Sequence, residues 1–168
     1  MKHKILIENE KQANLIVAKV MRITLLIFTF IYILNLIGVF VVNIKIMTIA
    51  YVGRVVLLLL PTLFVNTCEQ NNSHIKYLNV IVAVVFTTLL SITLTYHVVV
   101  NYVYPIAIAS LYFSKKLNIL STGLTVAGVS VGQLAAYYLD TLQDDNFLTL
   151  DYVLLFGILP RALVLIAI

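Results

Sequence analysis

Two arginines lie inside apolar stretches of this sequence, and they are the residues best placed to do chemistry. Arg54 stands in the run AYVGRVVLLLL, and Arg161 stands in GILPRALVLIAI. A charged side chain near the centre of a bilayer costs about 2.5–3.5 kcal/mol on insertion. Neither run contains Asp or Glu. We therefore expect each guanidinium to contact lipid phosphate, an outer-loop aspartate such as Asp140, backbone carbonyls or an anionic ligand.

Each arginine also has a purely structural explanation. The long stem of Arg54 allows its guanidinium to extend to the outer headgroups. Arg161 lies deeper and follows Pro160, which has no N–H. That proline leaves the carbonyl of Phe156 without its helical donor and is expected to kink the helix. A ligand contact and a structural contact both stay open for each arginine.

Tyrosines map to the outer ends of several predicted spans, as is typical of an aromatic belt at the headgroup level. His97, Asn101 and Tyr104 add hydrogen-bonding groups at the same depth, next to a break at Pro105. A belt tyrosine and a turn histidine are the structural alternatives to a pocket. The candidate ligand-binding residues are the charged and polar ones in this outer half: Arg54, His97, Asn101, Tyr104 and Arg161.

Small residues recur along the apolar stretch 119–139. They alternate at four- and three-residue steps and are Ser121, Thr125, Gly128, Gly132 and Ala135. These steps place them on one face of a helix, where a second helix can approach closely. The same stretch reads G-x-S-x-G around Ser130, but a hydrolase elbow requires a strand, a sharp turn and then a helix. We therefore predict helix packing and no catalytic residue, with Gln133 beside the stripe bonding between helices.

Composition decides which elements hold these residues. The chain has 168 residues, of which 62% are hydrophobic and 11% charged, whereas a soluble domain is about 25% charged. Roughly 20 apolar residues cross a hydrocarbon core about 30 Å thick. We predict an all-α, polytopic membrane protein, a six-helix transmembrane bundle, with spans at 23–42, 46–65, 78–95, 98–113, 119–139 and 152–168. The third and fourth form an uncertain pair, because one span plus an interfacial helix would reverse everything downstream.

The basic residues predict how the chain is oriented. Residues 1–22 are expected to form a cytoplasmic amphipathic segment on the membrane surface, ahead of a six-span domain at 23–168. With six spans, one side collects eight basic residues: Lys2, Lys4, Lys11, Lys19, Arg22, Lys76, Lys115 and Lys116. The opposite side has Lys45 and the acidic loop 140–151. Because basic loops stay in the cytoplasm, both termini are expected there.

Other function classes find little support in the sequence. The single cysteine, Cys68, makes no internal disulfide, and no metal or cofactor motif is present. Basic residues flank apolar runs and form no patch for nucleic acid. We therefore expect no enzyme, no metal, no cofactor and no nucleic-acid partner. The expected partners are the lipid bilayer and a small anionic ligand.

The stretch 104–132, YPIAIASLYFSKKLNILSTGLTVAGVSVG, resembles the multi-span amino-terminal regions of bacterial sensory proteins, and the closing GILPRALVLIAI is similar to them. In such proteins about six spans precede a chemoreceptor signalling hairpin, a GGDEF diguanylate cyclase or a histidine kinase. The resemblance implies a multi-pass location in the bacterial plasma membrane. It also implies homodimers formed through a cytoplasmic domain, which we expect to follow because the last run stays apolar to Ile168.

Together these observations predict a membrane sensor, most similar to the sensory region of a methyl-accepting chemoreceptor. A cue in the outer half would shift the packing of the last helix about Pro160 and so change a cytoplasmic output. The alternative is the substrate-binding membrane subunit of a vitamin-type transporter, because six spans in so short a chain also suit that class. A passive anchor is the third possibility.

Overall fold

The computed structural model describes residues 2–39, 43–67, 74–94, 99–139 and 149–168, with side chains from residue 8 onward. Over these ranges the backbone is helical and contains no strand. The helices are α1 (Lys2–Leu36), α2 (Ile44–Thr67), α3 (Ile75–Thr93), α4 (Val99–Ser110), α5 (Lys115–Tyr138) and α6 (Leu150–Ala167). All except α4 are long and apolar enough to cross a bilayer. The prediction of an all-α chain is confirmed for the described residues.

Helix α1 continues without a break through residue 22, where the sequence analysis separated a surface helix from the first span. The apolar residues Ala13, Val17 and Met21 are buried in the core. They follow one another at four-residue steps, and the same face continues to the buried Phe28. Because the buried face keeps its helical register, the amphipathic segment packs against the bundle as part of α1.

Helices α1 and α2 run in opposite directions. The hydroxyl of Thr29 in α1 bonds that of Tyr51 in α2 at 2.9 Å. The later Tyr32 bonds the earlier Thr48 at 3.0 Å and stacks on Tyr51 with ring centroids 4.3 Å apart. A later residue of one helix thus meets an earlier residue of the other, which is the antiparallel arrangement.

The alternation continues along the chain. Tyr112, just after α4, bonds Asn79 near the start of α3, so α4 returns along α3. Helix α5 packs along α3 in the same direction, and α6 returns along α5, where Arg161 bonds Gln133. Helices α1, α3 and α5 therefore begin at one end of the bundle, called the near end. Helices α2, α4 and α6 begin at the other end, called the far end.

Helix α4 is shorter than the span predicted at 98–113. It consists of a 3₁₀ segment, Val99–Val103, followed by an α-helical segment, Tyr104–Ser110, with Pro105 in its first turn. At 1.5 Å per residue it is only about 18 Å long. The chain then turns sharply at Phe113, whose φ is 49°, and Ser114 caps α5 by accepting from the N–H of Leu117 at 3.4 Å. The proline and the turn divide a stretch that hydropathy alone presents as continuous.

Helix α3 lies at the centre of the bundle. In its most apolar window 56% of the residues are buried, against 17–33% for the other four long helices. Those helices therefore turn a large part of their surface outward, and that surface carries exposed side chains such as Leu26, Ile49, Val131 and Leu163. A central helix wrapped by others with apolar outer faces is the arrangement that a bilayer favours.

Candidate functional site at the far end of α3

Arg54 of α2 is fully buried, with 1% of its surface exposed. One guanidinium nitrogen, Nη2, donates to the carbonyl of Leu89 at 3.2 Å and to the hydroxyl of Thr93, both near the end of α3. The guanidinium carbon lies 5.8 Å from the ring centroid of Phe28 in α1, within cation–π range. The sulfur of Met47 lies 3.9 Å from Nη1. The side chain thus links three helices.

The hydrogen bonds of the Arg54 guanidinium are not all satisfied within the described residues. Its Nε has no hydrogen-bond partner among the described residues, and none of its partners there carries a negative charge. What opposes its charge is the carboxyl end of α3, where the helix dipole is negative. The carbonyl of Leu89 accepts there from the Thr93 hydroxyl at 3.0 Å as well as from Arg54. The sequence left four partners open for this guanidinium: lipid phosphate, an aspartate, backbone carbonyls or an anionic ligand. In the structure it bonds a backbone carbonyl, that of Leu89.

Arg161 of α6 reaches the same end of α3 through a second side chain. Its Nη1 donates to Oε1 of Gln133 at 3.1 Å and to the carbonyl of Gly157 at 2.6 Å. Gln133 is fully buried, and its Nε2 donates to the carbonyl of Ser91 and to the hydroxyl of Tyr102, each at 3.4 Å. The guanidinium carbon also lies 5.8 Å from the Tyr102 ring centroid. Arg161, Gln133 and Tyr102 therefore join α6, α5, α4 and α3.

The backbone of α6 is adapted around Arg161. Residues Val153–Ile158 are π-helical, and the N–H of Leu159 donates to the carbonyl of Leu154, five residues earlier. Pro160 follows this segment after one intervening residue, Leu159. A π-helical turn is a common place for a functional side chain, because its carbonyls are displaced from regular helical bonding. Arg161 donates to the carbonyl of Gly157, which belongs to this segment.

The other candidate ligand-binding residues lie elsewhere. The hydroxyl of Tyr104 is 3.1 Å from that of Thr24 in α1, and its ring contacts Phe86 at 5.7 Å between centroids. Asn101 is half-buried in the 3₁₀ segment of α4. His97 falls outside the described residues, as does Asp140. The structure thus places Arg54 and Arg161 around one helix end, while the Tyr104 hydroxyl bonds a different helix.

The small residues of α5 face α3. A Cβ added to Gly132 would lie 1.7 Å from Oγ of Ser91 and 2.9 Å from the carbonyl of Thr88. One added to Gly128 would lie 2.4 Å from Oγ1 of Thr88 and 3.2 Å from Val84. The glycines therefore let the two helices approach closely within one chain.

The remaining members of the stripe lie on or beside the same face of α5. Ser121 and Thr125 are buried and Ala135 is half-buried. The Thr125 hydroxyl donates to the carbonyl of Ser121 at 2.7 Å, a bond within α5 itself.

A second polar cluster lies near the near end, and the sequence analysis missed it. The Tyr112 hydroxyl donates to Oδ1 of Asn14 at 2.8 Å and accepts from Nδ2 of Asn79 at 2.9 Å. The two asparagines also bond each other at 3.3 Å. Burial, opposed in part by the Asn79 bond, raises the pKa of Tyr112 to about 12. The available signal was Asn79 itself, an amide next to an apolar run.

An ion pair between α3 and α1 lies at the near end, next to this cluster. Nζ of Lys76 lies 2.6 Å from Oε1 of Glu10 and 5.7 Å from the ring centroid of Tyr77. The pair is partly exposed, so its contribution to stability is less than about 1 kcal/mol. It nevertheless ties the start of α3 to α1 at the level where the Asn14 cluster does the same.

Neither a metal site nor a similar known protein identifies the function of this chain. Over the described ranges no three His, Cys, Asp or Glu side chains are grouped as a metal site would require. No protein-family model, no curated protein and no solved structure matches this chain. The resemblance to bacterial sensory proteins therefore stays a prediction.

Proposed function

We propose that this chain is a membrane-embedded sensory module in which a cue in the outer half shifts the packing of α6 and so changes a cytoplasmic output, as in a chemoreceptor. The observation that carries the proposal is the Arg161–Gln133 bond at 3.1 Å. It joins the last helix to the centre of the bundle at the level where Arg54 is buried.

The distribution of basic residues supports an orientation with the near end in the cytoplasm. Lys11, Lys76, Lys115 and Lys116 lie at the near end, whereas Lys45 begins α2 at the far end. Under the positive-inside rule the near end is cytoplasmic, and both arginine sites lie in the outer half. The amino terminus and the end of α6 then lie on the cytoplasmic side, where an output would be read.

Helix α6 has the properties of a movable element. In its 18 residues only 17% of the side chains are buried, the lowest share among the long helices. Its regular helix is interrupted by the π-helical segment Val153–Ile158, next to Pro160. A helix with so little apolar packing depends strongly on polar bonds for its position. The bond to Gln133 is therefore well placed to select one packing over another.

The mechanism follows from differential binding. A ligand or membrane state shifts α6 only by the difference in its affinity for two packings. An anion that attracts the Arg161 guanidinium competes with Oε1 of Gln133 and weakens the link between α6 and α5. The Pro160 region then absorbs the change, and the cytoplasmic end of α6 moves.

A fusion experiment tests this proposal. The chain is joined through Ile168 to a chemoreceptor signalling hairpin, and kinase output is measured in cells for Arg161→Leu, Gln133→Leu and the double variant. Loss of one charge-assisted bond of about 1.5 kcal/mol shifts the output equilibrium about tenfold.

Because both substitutions remove the Arg161–Gln133 bond, the effect of the double variant should be smaller than the sum of the two single effects. Lys116→Gln, which removes a near-end charge, is the matched control and should leave output unchanged. Unchanged output in Arg161→Leu, in a fusion that still inserts, would remove Arg161 from the mechanism.

The short α4 favours a second candidate, the substrate-binding subunit of a vitamin-type carrier. Short, proline-interrupted apolar helices mark the substrate sites of many transporters, and α4 combines a 3₁₀ segment with Pro105. Equilibrium dialysis of the purified chain against water-soluble vitamins distinguishes the two. Tight binding of one vitamin, lost in Arg54→Met, would favour the carrier.

A further inference from the structure

The outward face of α1 changes character abruptly at Arg22. Exposed residues follow one another along this face at three- and four-residue steps: Leu15, Lys19, Arg22, Leu26, Phe30 and Ile33. Lys19 and Arg22 follow Leu15, which is 40% exposed, and the part beyond them is wholly apolar, with Leu26 70% and Phe30 61% exposed. The stripe is therefore amphipathic along its length.

The two cations lie at the level of an apolar stretch of α2. The pairs Thr29–Tyr51 and Tyr32–Thr48 set the register of α1 on α2, and this register places Arg22 level with about residue 58. Helix α2 continues to Thr67, roughly 13 Å farther at 1.5 Å per residue. Lys19 and Arg22 are therefore level with residues 58–61 of α2, where Leu59 is 39% exposed and Leu58 is buried.

The direction of the Arg22 side chain agrees with a headgroup contact. Its Nε donates to the carbonyl of Ala18 at 3.4 Å, so the side chain extends toward the near end. Neither Lys19 nor Arg22 has an acidic partner among the described residues, where Glu10 pairs with Lys76. Long basic side chains that start in an apolar region commonly extend their charge to the phosphate level.

We infer that Lys19 and Arg22 bind the headgroup phosphate of an anionic phospholipid in the leaflet at the near end, with an acyl chain along Leu26, Phe30 and Ile33. Charge and shape both support this occupant, because a phospholipid presents an anion followed by an apolar chain in the same order as the stripe. A symmetric contact with a second copy would bring the same cations together. The lipid site does not depend on whether the bundle senses or carries a ligand.

Native mass spectrometry of the delipidated full chain tests the site, with phosphatidylglycerol or phosphatidylcholine added in turn. The chain should bind phosphatidylglycerol in preference. The double variant Lys19→Gln/Arg22→Gln should lower its affinity about twenty-five-fold, the product of a roughly fivefold contribution from each cation. Glutamine keeps most of each apolar stem, so the change is mainly one of charge.

The matched control removes the same charge at the same end. Lys115→Gln/Lys116→Gln replaces two exposed lysines of α5 and should lower affinity by less than about threefold. The exchange Lys19→Arg/Arg22→Lys keeps both charges and should bind like the original chain. Equal loss in the two glutamine variants, or full binding by Lys19→Gln/Arg22→Gln, would overturn the site.

Discussion

The contact between α5 and α3 is tested most directly by replacing Gly132 with alanine. The added Cβ would lie 1.7 Å from Oγ of Ser91, 3.1 Å from its Cβ and 2.9 Å from the carbonyl of Thr88. The hydroxyl of Ser91 can rotate only by giving up its 2.8 Å bond to that same carbonyl. The carbonyl belongs to the backbone of the central helix, so the two helices have to separate.

The expected magnitude follows from a comparison with Gly123. That glycine lies on the exposed face of the same helix, and a Cβ there would meet nothing within 4 Å. Alanine is favoured over glycine in a helix by about 0.8–1.0 kcal/mol at either position. Because this gain is common to both, the difference between the two variants isolates the packing cost. Overpacking typically costs about 1–3 kcal/mol, so Gly132→Ala should be less stable than Gly123→Ala by that amount.

The assay is reversible unfolding of the purified chain in detergent micelles by titration with a denaturing detergent, followed by circular dichroism. Gly128→Ala should fall between the two variants, because the nearest atom is the side-chain oxygen Oγ1 of Thr88, at 2.4 Å, which can rotate. If Gly132→Ala proved as stable as Gly123→Ala, α5 could not approach α3 closely at this glycine.

Three further changes test other parts of the structure. Arg54→Met should change the free energy of unfolding by less than about 2 kcal/mol, because relief of a buried charge offsets the lost hydrogen bonds; failure to fold in the same titration would indicate an anionic partner. Tyr112→Phe should cost about 1–3 kcal/mol, because it removes the bonds to Asn14 and from Asn79 and leaves only the 3.3 Å bond between the two asparagines. Burial raises the pKa of Tyr112 to about 12, so its stabilising effect is complete below about pH 10 and is lost as pH rises toward 12. In an absorbance titration at alkaline pH, Tyr112→Phe should remove one late-titrating tyrosine, and removal of an early one would contradict the burial. In cells, Lys45→Cys should react with an impermeant thiol reagent and Lys116→Cys should not, and the reverse labelling would overturn the proposed orientation.

Most of the helices could be predicted from the sequence, since an apolar run of sufficient length has few alternatives to a helix. The predicted spans 46–65, 78–95 and 119–139 lie largely within helices α2, α3 and α5. Arg54 and Arg161 could be singled out because charge is conspicuous in such runs. Their partners could not be, because Leu89 and Gly157 contribute only backbone carbonyls, which every residue has.

The break at α4 and the continuity of α1 also required the folded chain. Hydropathy averages over a window, so it cannot separate a short helix ended by a turn at Phe113 from a full span. In the same way, Asn14 and Tyr112 are 98 positions apart, and only the return of α4 along α3 brings them together.

The sequence by itself determined that this chain is helical, that most of its length lies in runs apolar enough to cross a bilayer and that two cations lie within those runs, because these properties depend on residue type over one or two dozen positions. The tertiary structure decided what those cations contact. It placed Arg54 beside the carbonyl of Leu89 near the carboxyl end of the central helix, and Arg161 beside Gln133, which bonds Ser91 of that same helix. Those contacts depend on how separate helices pack.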